Sequence, residues 1–180
     1  MQDKVVLDMG CNISLFSLFA ARFAKQVYAF EPAQETYTLA TQNLNENGAT
    51  NVTLIKKAVS TEDGKETFYI NTNTTMNSLN PAVNDKQIKE EVETVRLDTF
   101  IKENNIDHIG FAKIDIEGTE DKFFVSDSFK NIVPILDSFV YEYHSWCQSP
   151  PHLINQALTD LGYEIKQIPS EATIFGAIKV

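Results

Sequence analysis

Asp115 and Glu117 stand two residues apart in the stretch KIDIEGTE, and Glu142 and His144 repeat that spacing in YEYH. On a β-strand, residues two apart share one face. Ile114 and Ile116 alternate with the charges, so the first stretch reads as the end of a buried strand that Gly118 stops. In a parallel sheet covered on both faces, carboxylates are costly everywhere except at the carboxyl end of a strand. Asp115 and Glu117 are therefore expected on the rim of a crevice, joined there by Glu142 and His144. The chemistry of such a group is proton removal from a reacting hydroxyl. Neighbouring carboxylates raise one another's pKa and suit one of them to that work. Hard oxygen ligands could also hold magnesium between Asp115, Glu117 and Glu142, but spacing shows no geometry and no metal is assigned. Plainer roles compete: Lys113 pairing with Asp115, Glu117 favoured by a helix dipole, His144 as a structural histidine.

A second set lies near the start. Asp8 ends the run KVVLDMG, and Gly10 permits a tight turn in the loop DMGCNIS. Glu31 ends the next apolar run, twenty-three residues after Asp8 (31 − 8), and Pro32 follows it. An acid at that place can accept hydrogen bonds from a ribose diol. A pyrophosphate fingerprint would need glycines at G-x-G-x-x-G, and only Gly10 is present. That disfavours a nicotinamide-dependent oxidoreductase. It fits a nucleoside that has no phosphate and a positive charge near the loop, as in S-adenosylmethionine (SAM).

These residues need elements to carry them. KVVLDMG (4–10), QVYAFEP (26–32) and NVTLIKKAVS (51–60) read as strands, separated by helices over 14–24 and 34–47. The pattern β-α-β-α-β predicts a parallel sheet with helices on both faces. Segments 63–71 and 90–98 alternate apolar and polar residues as half-exposed strands do, with a polar Asn/Thr-rich loop between them. A short helix over 99–105, the strand ending at Glu117, a helix, the strand ending at His144, another helix and two closing strands follow. The last two strands have no room for a helix between them and should pair antiparallel. The expectation is one α/β domain over 1–180 with about seven main strands and a small excursion at 63–98.

Composition narrows the partners. At 180 residues the chain is one domain by length, and 43% hydrophobic with 22% charged residues is ordinary for a globular protein. The formal net charge of −10 argues against phosphate-backbone binding, so no nucleic-acid partner is expected. No apolar run is long enough for a membrane span, and no basic segment precedes an apolar one at the start. Cys11 and Cys147 make no disulfide framework. Inert reduced thiols and a cytoplasmic location are expected.

The motifs VVLDMGCNIS, AFEP, KAVS, KIDIEGTE and YEYH, in that order from about Val5 to His144, resemble the FkbM family of SAM-dependent methyltransferases. The resemblance implies a class I methyltransferase fold: a Rossmann-like, seven-stranded, mostly parallel sheet with an antiparallel last strand. It implies SAM as cofactor, with Asp8, Met9, Gly10, Asn12, Ser14, Glu31, Pro32, Ala58, Val59 and Asp115 around it. Ala58 and Val59 would meet the adenine. Members are associated with O-methylation of hydroxyls on sugars or natural products, so a small-molecule or glycan hydroxyl is the implied acceptor. Asp115, Glu117, Glu142 and His144 are then the catalytic candidates. Family members usually carry a second glycine where this chain has Ser14, which could instead cap the helix. They usually also carry a segment before strand 1 that covers the active site. Here the acceptor pocket is expected to be unusually open, or covered by another chain or a homo-oligomer, or the chain is a minimal or trimmed form. A SAM-binding module or partner subunit without its own catalysis is the alternative reading.

Overall fold

The computed structural model describes residues 3–70, 78–79 and 88–180. Three apolar runs near the start form parallel strands, β1 (Val5–Met9), β2 (Gln26–Phe30) and β3 (Val52–Ile55), with β2 between the other two. On the other side of β1 lie β7 (Ile109–Ile114) and then β8 (Ser138–Glu142), both parallel to it. The sheet ends with β10 (Ile174–Lys179) and β9 (Tyr163–Gln167), giving the order β3-β2-β1-β7-β8-β10-β9. Strand β10 is antiparallel to both of its neighbours, as the missing crossover between the last two runs requires.

Period-two alternation splits the core into two layers. Val6 and Val27 face one side and pack with Ala20 of α1 (Leu15–Ala21). Leu7, Met9, Phe30, Ile109 and Ile114 face the other side. There they meet α3 (Leu97–Glu103), α4 (Glu120–Val125) and α5 (Asp127–Lys130), with Phe123, Phe124 and Phe129 making edge-on and tilted ring contacts. Helices thus cover both faces, and the strand order reverses between β1 and β7. That reversal opens the ligand crevice of such sheets beyond the carboxyl ends of the strands.

The expected strand over 51–60 is two strands in two sheets. It breaks at Lys56-Lys57, because consecutive lysines cannot both stay in a covered strand. Beyond the break, β4 (Ala58–Ser60) pairs in parallel with β6 (Ile88–Arg96), and β5 (Gly64–Ile70) pairs antiparallel with β6. This three-stranded sheet is the excursion read at 63–98. The single helix expected after Gly118 is also two pieces. Ser126 breaks it with extended backbone, and its hydroxyl accepts the N–H of Phe129 to start α5. Helix α2 (Gln34–Glu46) and helix α6 (Pro151–Asp160) lie where periodicity placed them. The Asn/Thr-rich loop lies outside the described residues, apart from Ser78 and Leu79. No described helix is long and apolar enough to cross a membrane.

Candidate active site

A cavity of about 450 Å³ opens at the carboxyl ends of β1, β2, β7 and β8. Gly10, Asn12, Glu31, Pro32, Ala58, Val59, Asp115, Glu117, Glu142 and His144 line it, so ten of the residues singled out by sequence meet in one place. Asp8, Met9 and Ser14 do not line it; all three are fully buried behind the wall. Phe30, Lys57, Phe68, Leu79, Ile116 and Trp146 complete the lining. Phe30 and Ile116 lie within the motifs AFEP and KIDIEGTE, whereas Lys57, Phe68, Leu79 and Trp146 come from outside the strand ends that the motifs mark.

The first loop is held by backbone geometry. Gly10 has φ +76°, and a Cβ there would lie 1.8 Å from the carbonyl oxygen of Asp115. Its glycine is thus required by the close approach of the β7 end, rather than by a ligand alone. Ser14 also has positive φ, +65°, and makes no side-chain cap; its hydroxyl points to Cys11 Sγ at 3.4 Å. The expected cap fails because a capping serine needs extended backbone and this one is left-handed, a conformation that favours glycine.

Glu31 ties the loop to the next helix. Its carboxylate accepts the N–H of Asn12 (3.0 Å), the N–H of Ala33 (3.0 Å) and the Thr36 hydroxyl (2.7 Å). Burial pushes its pKa up, and the three donors partly offset that. Asp8 accepts the Ser17 hydroxyl at 2.5 Å through Oδ2. Its Oδ1 is buried without a hydrogen bond and stands 3.9 Å from Lys113 Nζ. Burial raises the Asp8 pKa against the pull of Lys113. Lys113 pairs with Asp115, donating to its Oδ2 (2.9 Å) and to the Gly10 carbonyl (3.2 Å). Burial alone would lower its pKa, but the charges of Asp115 and Asp8 outweigh it and raise it.

At the far end of the cavity the charges converge on His144. Its Nε2 lies 3.2 Å from Glu117 Oε2 and 3.7 Å from Asp115 Oδ1, while Nδ1 lies 2.9 Å from Glu120 Oε1. Burial pulls the His144 pKa down, yet Glu120 first, then Glu117 and Asp115, push it up to about 9. Burial pushes Glu117 up to about 8, against the pull of His144 and with the help of Asp115, Glu120 and Glu142. Glu117 itself sits at φ +55°, where the chain turns away from the strand. Its carbonyl accepts the Ser78 hydroxyl and the Trp146 indole N–H. Trp146 packs its ring against His144, centroids 5.0 Å apart, and over Gly118. Tyr143, just past β8, packs partly buried against the core.

Asp115, Glu117 and His144 each bring a potential ligand atom within 4.8 Å of the others. Among the described residues this is where a cation could sit. The contacts are equally those of an ion-paired cluster around one imidazole. Glu120 is the member that sequence reading missed. It follows Gly118, where the strand alternation has already stopped, and only the fold brings it under His144. Both thiols are pushed up by burial, Cys147 to about 12 with further help from Glu120, so neither is poised to react.

The cavity suits the cofactor implied by sequence. Its volume lies within the roughly 300–1,000 Å³ of small-ligand sites. Asp115 Oδ1, buried and without a hydrogen bond, is an unused acceptor on its wall.

The sequence matches the Methyltransferase FkbM domain over residues 8–165. A curated relative, the uncharacterized protein MJ1452 of Methanocaldococcus jannaschii, is 38% identical over 65 residues, which are 36% of this chain and 25% of that protein. The chain thus spans only a quarter of that relative. Among solved structures, a methyltransferase FkbM from Methylobacillus flagellatus superposes with TM-score 0.61 at 16% identity, covering 97% of this chain and 43% of that one. An rRNA methylase from Streptococcus thermophilus gives 0.61 at 13% identity, covering 99% and 88%. The magnesium protoporphyrin IX methyltransferase of Synechocystis, solved with bound SAM, gives 0.60 at 12% identity, covering 99% and 71%. At these identities the likeness establishes the fold, a class I SAM-dependent methyltransferase fold. With the family match covering most of its length, the chain belongs to the FkbM family of methyltransferases.

Proposed function

We propose that the protein transfers the methyl group of SAM to a hydroxyl of a sugar, glycan or natural-product acceptor. The observation that carries this reading is the convergence, in one cavity, of the loop and strand-end residues Gly10, Asn12, Glu31, Ala58 and Val59 with the cluster Asp115, Glu117, Glu142 and His144. The first group would bind the nucleoside, with Glu31 toward the ribose and Ala58 and Val59 against the adenine. Bound SAM supplies an electrophilic methyl on a sulfonium. Asp115 would face the sulfonium, and Glu117 the acceptor. Methyl transfer is an in-line displacement, so the chain's main task is to hold the acceptor oxygen against the methyl. Its second task is to receive the hydroxyl proton, for which the four-residue cluster is the apparatus. The acidic lining and the net charge of −10 support an acceptor without a phosphate backbone.

Isothermal titration with SAM and with S-adenosylhomocysteine (SAH) tests the cofactor half, and micromolar-range binding is expected. Absence of heat at millimolar ligand would sink the enzyme reading. Labelled SAM with a panel of sugar and natural-product hydroxyls tests the acceptor half. Label transferred only to RNA, or to nitrogen, would overturn it.

A further inference from the structure

We infer that Glu120 is a positioning residue and that Glu120 and His144 form an acid–imidazole pair which, when the ring is neutral, takes the acceptor's proton on Nε2. The inference rests on the methyltransferase reading and deepens it, since the cluster of four leaves open which group receives the proton.

Glu120 has no surface exposure and is fully employed. Oε1 accepts from the N–H of Ile116 (3.2 Å) and faces His144 Nδ1 (2.9 Å). Oε2 accepts from the N–H of Gly118 (2.9 Å) and from the Cys147 thiol (3.2 Å). Its other partners, two backbone N–H groups and a thiol, are all donors, so both oxygens act as acceptors. It therefore requires the proton of His144 on Nδ1. The ring is then fixed by its far side, and Nε2 is turned to the cavity that His144 lines. This is the logic of a buried acid that sets the tautomer and aim of a histidine base.

Elimination favours the same atom. Asp115 is committed to Lys113 at 2.9 Å. Among the described residues, the Glu142 carboxylate accepts one hydrogen bond, a long one of 3.5 Å from the Thr173 hydroxyl, which fixes its aim poorly. Glu117 rides on a turn at positive φ and stands 3.2 Å from Nε2, where it can partner the imidazolium once formed. The step balances as follows. The O–H proton passes to Nε2, the oxygen electron pair forms the O–C bond, and the C–S bond breaks with its pair kept by sulfur. The products are an ether, a neutral thioether and an imidazolium, which later loses its proton to water.

The groups facing His144 are Glu120 and Cys147 on the Nδ1 side, and Asp115 with Lys113 behind it, Glu117 and Glu142 on the cavity side. Nitrogen-15 NMR of the full chain labelled in histidine reads the result directly, with and without SAH. In the wild type the neutral ring is expected to carry its proton on Nδ1. A proton on Nε2 overturns the proposal with no variant needed. In Glu120→Gln, the His144 titration midpoint should fall by about one pH unit or more, with SAH affinity within about threefold of wild type. The variant Cys147→Ala should leave the midpoint and tautomer in place. An unchanged midpoint in Glu120→Gln, or an equal fall in Cys147→Ala, refutes the pairing. Loss of SAH binding in the wild type would instead refute the methyltransferase reading, whatever the histidine shows.

Discussion

Replacing Glu31 separates its two assigned tasks, holding the loop and holding the ribose. Three donors end on its carboxylate: the N–H of Asn12, the N–H of Ala33 and the Thr36 hydroxyl. Hydrogen bonds to a charged acceptor contribute about 1.5–3 kcal/mol each when the donor is otherwise left bare. In Glu31→Ala, water from the cavity can reach part of that space, so the expected loss is about 3 kcal/mol rather than the full sum. Glu31→Gln is more discriminating. Its amide oxygen can still take Ala33 and Thr36, but its NH₂ group then opposes the Asn12 N–H. One bond is lost, worth about 1–2 kcal/mol. Urea unfolding measures this part. The ribose part shows in SAH titration, where loss of the charged acceptor should weaken binding on the order of tenfold, about 1.4 kcal/mol. A Gln variant with wild-type stability and wild-type SAH affinity refutes both the loop tie and the ribose assignment. A variant that is destabilised but binds normally refutes the second alone.

Asp115→Asn should keep SAH affinity, because an amide oxygen still accepts from Lys113, while turnover on a responsive acceptor falls on the order of tenfold, since the imidazolium forming on His144 loses a neighbouring charge; lost cofactor binding would show that Asp115 serves the nucleoside instead. Gly10→Ala should cost about 2–3 kcal/mol in urea unfolding, since alanine is strained at φ +76° and its Cβ would press on the Asp115 carbonyl; a loss below about 0.5 kcal/mol contradicts the tight approach. Stability should fall between pH 6.5 and 9. Glu117, raised from 4.5 to about 8, contributes stability that is complete below 4.5 and is lost as pH rises through 8. His144, raised from 6.5 to about 9, contributes stability that is complete below 6.5 and is lost as pH rises through 9. A urea midpoint that is flat or rises over that window in the wild type, or an equally steep fall in Glu117→Gln, defeats this account of the cluster.

Alternation in KIDIEG and YEYH marked where two strands run out into a crevice, because charges survive only at strand ends; the strands stop at Ile114 and Glu142, however, and a turn at positive φ rather than the pleat aims Glu117. The turn glycine and the acid ending the second strand were legible for the same reason. The order of elements implied the parallel sheet, and the missing crossover before residue 174 implied its antiparallel strand. Tertiary structure decided the rest. That Asp8 and Ser14 stand behind the wall rather than on it depends on how α1 and the end of β7 press on the loop. The break after Ile55 sends Ala58 and Val59 into a second sheet, from which they line the cavity. Glu120 sits at the start of a short helix and looks like any acid in a first turn. Only the folding of the β8–α6 loop over it brings His144 and Cys147 to its two oxygens. Sequence periodicity encodes which face a residue takes, but a contact between segments 24 residues apart is set by packing alone.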